Sequence, residues 1–235
     1  MRKILLAGVA VLALSGTAHA QIPVTDIALN TQTLANAIKD AAYWAQQVAQ
    51  MTQEIEQAKA TYEALHHATD LGGILGTLGG VSNTYLPAGS EIPGLLTGAS
   101  GLWGQGGKFF DQGQLYAFSN EAGFIAEEMK RRQTVTANAQ AITSAATTGY
   151  QQHLQNLSAL QARLSAATDV TEVDTVNGLI AIEQQNLDAH RGLIEATKVA
   201  LAADDRVTMQ RAEQQRRKEA DDLFNATSAV TGSIQ

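Results

Sequence analysis

The first long stretch of the chain repeats apolar or small residues at alternating steps of four and three positions. The pattern follows Pro23 and is interrupted at Thr52 and Lys59. Its members are Leu34, Ile38, Ala41, Ala45, Val48, Ile55 and Tyr62. A period near 3.5 residues is typical of a helix that packs lengthwise against other helices. The pattern therefore predicts a long first helix within residues 21–70.

Two further stretches carry the same period. The second begins near Ser119 and has a seam at Val135, Ala139, Ile142, Ala146, Tyr150, Leu154, Leu157 and Leu164. The third has the most regular heptad, at Val173, Val176, Ile180, Glu183, Leu187, His190, Ile194, Thr197 and Leu201. Between them, Asp169 and Glu172 stand at capping-box spacing, which predicts a short turn. The sequence thus predicts three long helices that run up, down and up.

Residues 71–107 break this pattern. They hold 12 of the 20 glycines, two of the three prolines and a single charged residue, Glu91. Each glycine inside a helix costs about 1 kcal/mol relative to alanine, so one long helix cannot accommodate so many. The segment is nevertheless richer in leucine and isoleucine than a flexible linker. We expect a compact appendage with its own small apolar cluster and a short helix or two.

The predicted fold is all-α: an elongated three-helix bundle with a small Gly-rich globular appendage between helix one and helix two. Residues 1–20 have the pattern of a signal peptide, with Arg2 and Lys3, an apolar run and Ala18-His19-Ala20 before a predicted cleavage. The first helix takes residues 21–70 and the appendage residues 71–118. The second and third helices take residues 119–225, and a flexible tail takes residues 226–235.

Composition narrows the classes of function. Removal of Arg2 and Lys3 with the leader takes the formal net charge from -7 to -9. An acidic chain is unsuited to direct nucleic-acid binding, which depends on clustered lysine and arginine. The chain has no cysteine, which excludes disulfides and thiolate metal sites. No stretch after the leader supplies the roughly 20 apolar residues of a membrane span.

No constellation in the sequence points to catalysis, a metal or a cofactor. His66, His67 and Asp70 could be imagined as metal ligands, but adjacent helical residues point about 100° apart. The glycines match neither the dinucleotide nor the phosphate-loop pattern. The basic runs 130–132 and 216–218 have acidic neighbours and are interpreted as solvated helix faces with i,i+4 pairs. We therefore expect no enzymatic activity.

Two features leave alternatives open. His190 lies in the predicted seam one layer from Glu183, where it acts either as a polar layer that fixes the register or as a pH-sensitive contact. The uncharged residues 71–90 have the length of a membrane span but contain glycine, proline and polar residues. Packing against protein fits their composition better than insertion into a membrane.

Several motifs occur together in one order. Ile22-Pro23-Val24-x-Asp26 follows the leader, a Gln-rich helix carries Trp44 and Met51, and Tyr62-x-x-Leu65 precedes the glycines and Asn83-x-Tyr85-Leu86-Pro87. This order resembles the minor pilin family of bacterial type IV secretion and conjugation systems, the fifth VirB component, with its TraC and TrbJ types. The motif resemblance covers roughly residues 21–90.

The resemblance implies an exported three-helix protein at the pilus tip or stalk, with no enzymatic activity or metal site. It further implies contacts with the major pilin and the inner-membrane channel component, and a role in recipient-cell contact. We expect a homo-oligomeric ring, since pilus tips are built on an axis. The expected partner contacts are Tyr85, Leu86, Pro87, Trp103, Phe109 and Phe110, because aromatic side chains commonly anchor interfaces. A periplasmic chaperone or adaptor and a secreted adhesin or toxin are the alternative functions.

Overall fold

The computed structural model describes residues 27–65, 86–114, 123–168 and 170–232. These residues form five helices and no strand. The helices are α1 (Ile27–Leu65), α2 (Ile92–Thr97), α3 (Gly106–Gly113), α4 (Phe124–Ala166) and α5 (Val170–Gly232). The all-α prediction is confirmed. The predicted signal peptide and the first part of the Gly-rich segment lie outside the described residues.

Helix α5 is the central element, because it packs along both α1 and α4. Trp44 of α1 meets Gly192, and Ala58 packs near Leu179, so α1 and α5 are antiparallel. Helix α4 is also antiparallel to α5, since Arg131 pairs with Asp204 whereas Arg163 pairs with Glu172. Helices α1 and α4 therefore run in the same direction.

The predicted up-down-up order is consequently wrong, and the long helices run up, up and down. The physical reason lies in the two connections. The short link at 167–169 forces the chain to reverse direction between α4 and α5. The connection over residues 66–123 is long enough to return the chain to the end from which α1 started, so α4 can repeat its direction.

The buried face of α5 keeps a strict seven-residue repeat. One row contains Val176, Glu183, His190, Thr197 and Asp204, and a second contains Leu179, Asn186, Leu193, Ala200 and Val207. The first row contains four of the nine predicted seam residues, together with Asp204, which was not predicted. The other predicted members, from Val173 to Leu201, are only half-buried. The face is wider than a two-helix seam because α5 contacts two long helices.

Alanine and glycine allow these helices to approach closely. The third buried row of α5 consists of Ala189, Ala196 and Ala203. At Gly192, an added Cβ would lie 2.5 Å from the Trp44 ring. At Gly149 of α4, an added Cβ would lie 2.4 Å from the His190 ring. Large rings on one helix thus occupy gaps that glycine leaves on the next.

Residues 86–114 contribute to this core instead of forming a cluster of their own. Ile92, Leu95 and Leu96 of α2 are buried together with apolar residues of α1, α4 and α5. A short helix or two was expected in the Gly-rich segment, and α2 and α3 are present among residues 86–114. For these described residues the expectation of a separate apolar cluster is wrong, because α2 packs against α1, α4 and α5.

The far end of α5 extends beyond the packed region. Helix α5 continues to Gly232, so the first residues of the predicted tail lie within the helix. Every described side chain from 216 to 227 is exposed. No proline or glycine interrupts the sequence between Gly192 and Gly232, which permits one uninterrupted helix.

The glycine contacts generate a matched pair of substitutions in α5. Gly192→Ala should lower the free energy of unfolding by about 1–3 kcal/mol, because the new methyl group meets the partly buried Trp44 ring. Gly178→Ala meets no atom within 4 Å and should raise it by up to about 1 kcal/mol through helix propensity. Urea unfolding followed by helical circular dichroism measures both. Equal effects at the two positions would contradict the close packing at Gly192.

Candidate partner interface

The segment between α2 and α3 is held to the bundle by one buried side chain, Asn138 of α4. Its Oδ1 accepts a hydrogen bond from the Trp103 backbone N–H at 3.0 Å. Its Nδ2 donates to the carbonyl oxygens of Leu95 and Gly101, both at 3.2 Å. Gly106 approaches the same amide so closely that an added Cβ would lie 3.0 Å from Oδ1. One amide thus fixes the position of the whole short segment.

The six predicted contact residues separate into three groups. Tyr85 lies outside the described residues. Pro87 is buried, while Leu86 and Trp103 are half-buried against the apolar core. Phe109 and Phe110 are half-buried on α3, beside the surface. Phe109 and Phe110 line open clefts.

Helix α3 lies between two clefts. The larger has a volume of about 740 Å³ and runs between α3, α4 and α5, where Phe109, Thr143 and Leu201 are among its walls. The smaller has a volume of about 230 Å³ and is lined by Phe109, Phe110 and Met129. Both clefts therefore present aromatic surface on a short helix whose position Asn138 fixes.

A groove continues from the smaller cleft towards the start of α4. It has a volume of about 390 Å³ and shares Met129 and Arg132 with that cleft. Phe124 and Ile125 of α4 form one wall, and Ala212 and Arg216 of α5 lie in the other. Phe124 is 38% exposed and Ile125 is 61% exposed. The start of α4 therefore presents apolar surface to solvent along this groove.

A cluster of charged side chains lies beneath the groove. Arg131 forms ion pairs with Glu128 at 2.8 Å and with Asp204 of α5 at 2.9 Å. It also donates to the Thr97 carbonyl oxygen and to Thr208 Oγ1. Burial opposes the charge on Glu128, but the hydrogen bonds and charges of Arg131 and Arg211 still lower its pKa.

The interpretation of residues 130–132 as a solvated face is therefore wrong for Arg131, which links two long helices and the end of α2. Gly98, at φ 77°, ends α2 directly against this side chain. The ion pair between Arg132 and Asp205 is exposed. In the second basic run, Arg217 pairs with Glu213 four residues away, as expected.

A buried polar layer crosses the middle of α4 and α5. His153 Nδ1 lies 2.5 Å from Glu183 Oε2, and Asn156 Nδ2 donates to Glu183 Oε1 at 3.1 Å. The ring of His190 lies 5.0 Å from that of His153 between centroids. Glu183 thus pairs with His153, although the sequence placed it nearest to His190.

His153 and Asn156 were not predicted to be buried, and the seven-residue repeat explains why. Ala139, Ala146, His153 and Leu160 form one buried row, and Val135, Ile142, Gly149 and Asn156 lie along the next. The sequence prediction chose the neighbouring leucines, and one of them, Leu154, is 44% exposed. Seven-residue steps continued from Ala146 and from Ile142 would have predicted that His153 and Asn156 face the core.

The polar layer has no access for a substrate, since His153, Glu183 and His190 are each at most 3% exposed. Within the described ranges there is no group of three or more metal-ligating side chains. His66, His67 and Asp70 lie outside those ranges.

None of the described helices is long and apolar enough to cross a membrane. The clefts and the groove are open to solvent and suit contacts with another protein.

Asn138→Ala should detach the segment between α2 and α3. The substitution leaves the Trp103 N–H and two carbonyl groups without their partner, and each buried group of this kind costs about 1–3 kcal/mol. We expect faster proteolysis within residues 98–105 and a free energy of unfolding lower by at least about 2 kcal/mol. Gln151→Ala, at an exposed position of the same helix, is the control. Unchanged proteolysis would contradict the role of Asn138.

His190 should make the stability dependent on pH. Burial, followed by the nearby charge of His153, lowers its pKa to about 4, while a hydrogen bond with the Ala146 backbone opposes the shift. The unfolded chain binds a proton near pH 6.5 and the folded chain does not, so acidification from that value towards pH 4 should favour unfolding.

The lowered pKa of His190 contributes up to about 3 kcal/mol to the pH dependence of the free energy of unfolding. His190→Gln should remove this part of the pH dependence, while His153 and Glu183 stay in place. Urea unfolding at several pH values, for both proteins, measures it. Parallel curves for the two proteins would refute the assignment to His190.

Comparisons with known proteins place the chain in a family. The model of the family described as type IV secretion system proteins matches residues 21–213. No curated protein and no solved structure gives a significant match. The matched range contains α1 to α4, the Asn138 contacts and α5 as far as the groove. The chain therefore belongs to the family of type IV secretion system proteins.

Proposed function

We propose that this chain is a structural minor pilin that acts in pilus assembly at the pilus tip or stalk, and is not an enzyme. The observation that carries the proposal is the family match over residues 21–213. The order of motifs from Ile22 to Pro87 supports the finer assignment. A helix of 63 residues, roughly 95 Å long at 1.5 Å per residue, suits an elongated structural part.

The proposed partners are the major pilin and the inner-membrane channel component, with recipient-cell contact during conjugative DNA transfer as a further role. Export through cleavage after Ala20 belongs to the same proposal. The clefts beside Phe109 and Phe110 are the surface we propose for a protein partner. Aromatic side chains in such positions supply large contact areas, and a rigid support reduces the entropic cost of binding.

The first experiment removes the whole protein from its secretion system. The strain without it should lose pili and substrate transfer, and the intact protein supplied in trans should restore both. Normal pili and normal transfer in that strain would overturn the proposed function. A general accumulation of misfolded exported proteins would instead favour the chaperone.

The second experiment locates the contact surface. Deletion of residues 72–107 is unsuitable, because it removes Ile92, Leu95 and Leu96 from the core. Phe110→Asp should lower substrate transfer at least about tenfold, which is the effect of losing an interface anchor. Val170→Asp, at a 75% exposed residue beside the opposite turn, should leave transfer unchanged.

Protein level and helical circular dichroism are measured for both variants. If Phe110→Asp folds and transfers normally, the cleft is not the contact surface, while the pilin assignment is judged by the first experiment alone.

A further inference from the structure

The outward face of α4 carries no charge over most of its length. Residues 133–162 contain no aspartate, glutamate, lysine or arginine, although at the chain's charged fraction of 17% a stretch of 30 residues would hold about five. The exposed positions of this face include Gln140, Ser144, Thr147, Thr148, Gln151, Leu154, Gln155 and Ser158. Residues 206–222 of α5, by contrast, hold nine charged side chains in 17 positions. Depletion of charged residues is typical of a surface that a protein partner covers.

The outward face of α1 has the same property. Residues 41–53 contain no charged side chain. Tyr43, Gln46, Gln50 and Gln53 are exposed within this stretch. The chain therefore presents two uncharged faces, one on α1 and one on α4.

The contacts with α5 show that the two faces lie at the same height along the molecule. Trp44 of α1 meets Gly192, and Arg131 of α4 pairs with Asp204. Since both helices are antiparallel to α5, position 50 of α1 is level with position 149 of α4. Helices α1 and α4 run in the same direction, and both pack against α5 and α2. Their outward faces therefore point to different sides of the molecule.

Charged side chains flank the two faces in a complementary way. Asp40 and Glu54 are exposed beside the α1 face, two heptads apart. Arg191 and Lys198 are exposed on α5, one heptad apart, and Lys198 lines the larger cleft beside α4. Counting from the contact of α1 with Gly192 puts Asp40 level with position 196 of α5, close to the height of Lys198. The flank of α1 is thus acidic where the flank of the α4 face is basic.

We propose that copies of this chain associate side by side, with the uncharged face of α1 in one copy packed along the uncharged face of α4 in the next. The contact is heterologous, because each copy contributes two different surfaces, and it repeats from copy to copy. A second copy fits both faces because this chain supplies them at one height and in one direction. The inference goes beyond the proposed function, since it concerns how copies of the chain meet.

The side chains of α1 suit this placement. Tyr43 is 53% exposed and is level with position 142 of α4, within the range that lines the larger cleft beside Phe109 and Leu201. Asp40 lies about 60° around α1 from Tyr43. When Tyr43 faces α4 of the next copy, Asp40 turns towards α5 of that copy, where Lys198 lies.

Engineered disulfides test the contact, since the chain has no cysteine of its own. In cells that carry the secretion system, a chain with both Gln50→Cys and Gln151→Cys should give a ladder of linked dimers, trimers and larger products under oxidation. Each single variant should give no linked product, because neither face meets itself. Two singly substituted chains expressed together should give dimers and nothing larger.

Exchange of charges in this cysteine background tests the register. Asp40→Lys alone and Lys198→Asp alone should each lower the yield of the ladder at least about threefold, because like charges then lie side by side. The double exchange should restore the yield. Asp222→Lys, at the exposed end of α5, is the control and should leave the yield unchanged.

Truncation of the aromatic side chain tests the α1 face. Tyr43→Ser should lower the yield of the ladder at least about tenfold, which is the effect of losing an interface anchor. Leu29→Ser, at a 64% exposed position two turns or more before the uncharged stretch, is the matched control and should have no effect. Helical circular dichroism shows whether each variant stays folded.

The remaining outcomes overturn the proposal. The contact is wrong if no ladder forms with Gln151→Cys, nor with Thr147→Cys or Leu154→Cys in its place. A linked dimer from a single variant shows that a face meets its own copy. Normal pili and transfer without any ladder contradict this contact alone, because the proposed function is judged by removal of the whole protein.

Discussion

The close approach of α5 to two parallel neighbours is the constraint on which the rest of this structure depends. Gly192 accommodates Trp44, and Gly149 accommodates the His190 ring. A row of alanines at Ala189, Ala196 and Ala203 keeps the remaining distance short. Since α1 and α4 both pack along α5, a space remains between them. Helix α2 fills that space, and the Gly-rich segment therefore becomes part of the core.

Helices packed this closely cannot leave polar groups unpaired at low cost. Three of the polar residues in the buried rows, His153, Asn156 and Glu183, are joined across helices, whereas Asn186 donates within its own helix to the Ile182 carbonyl oxygen. Arg131 plays the same role near the other end, where it connects Glu128 with Asp204. Such pairs are demanding in geometry, so they select one register among the several that an alanine-rich face would tolerate.

The candidate interface follows from this arrangement. Asn138 holds the backbone at Leu95, Gly101 and Trp103, and the chain then enters α3 with Phe109 and Phe110 beside open clefts. A surface held by the core changes little on binding, so less of the contact energy is lost to ordering. Helix α5 is longer than the helices that cover it, so the part of it beyond the groove is exposed. Its exposed end is free to contact other molecules.

The seven-residue pattern by itself determined that the chain is helical, where α1, α4 and α5 lie, and that Glu183, His190 and Thr197 face inward. The order of motifs pointed to the secretion family. The direction of α4, the burial of α2 and the pairing of His153 with Glu183 were decided only by the tertiary structure. Periodicity specifies which face of a helix is buried, but contains no information about which helix covers it. The long connection before α4 permits either direction, and a short glycine-rich segment has no period of its own, so three-dimensional packing fixes both.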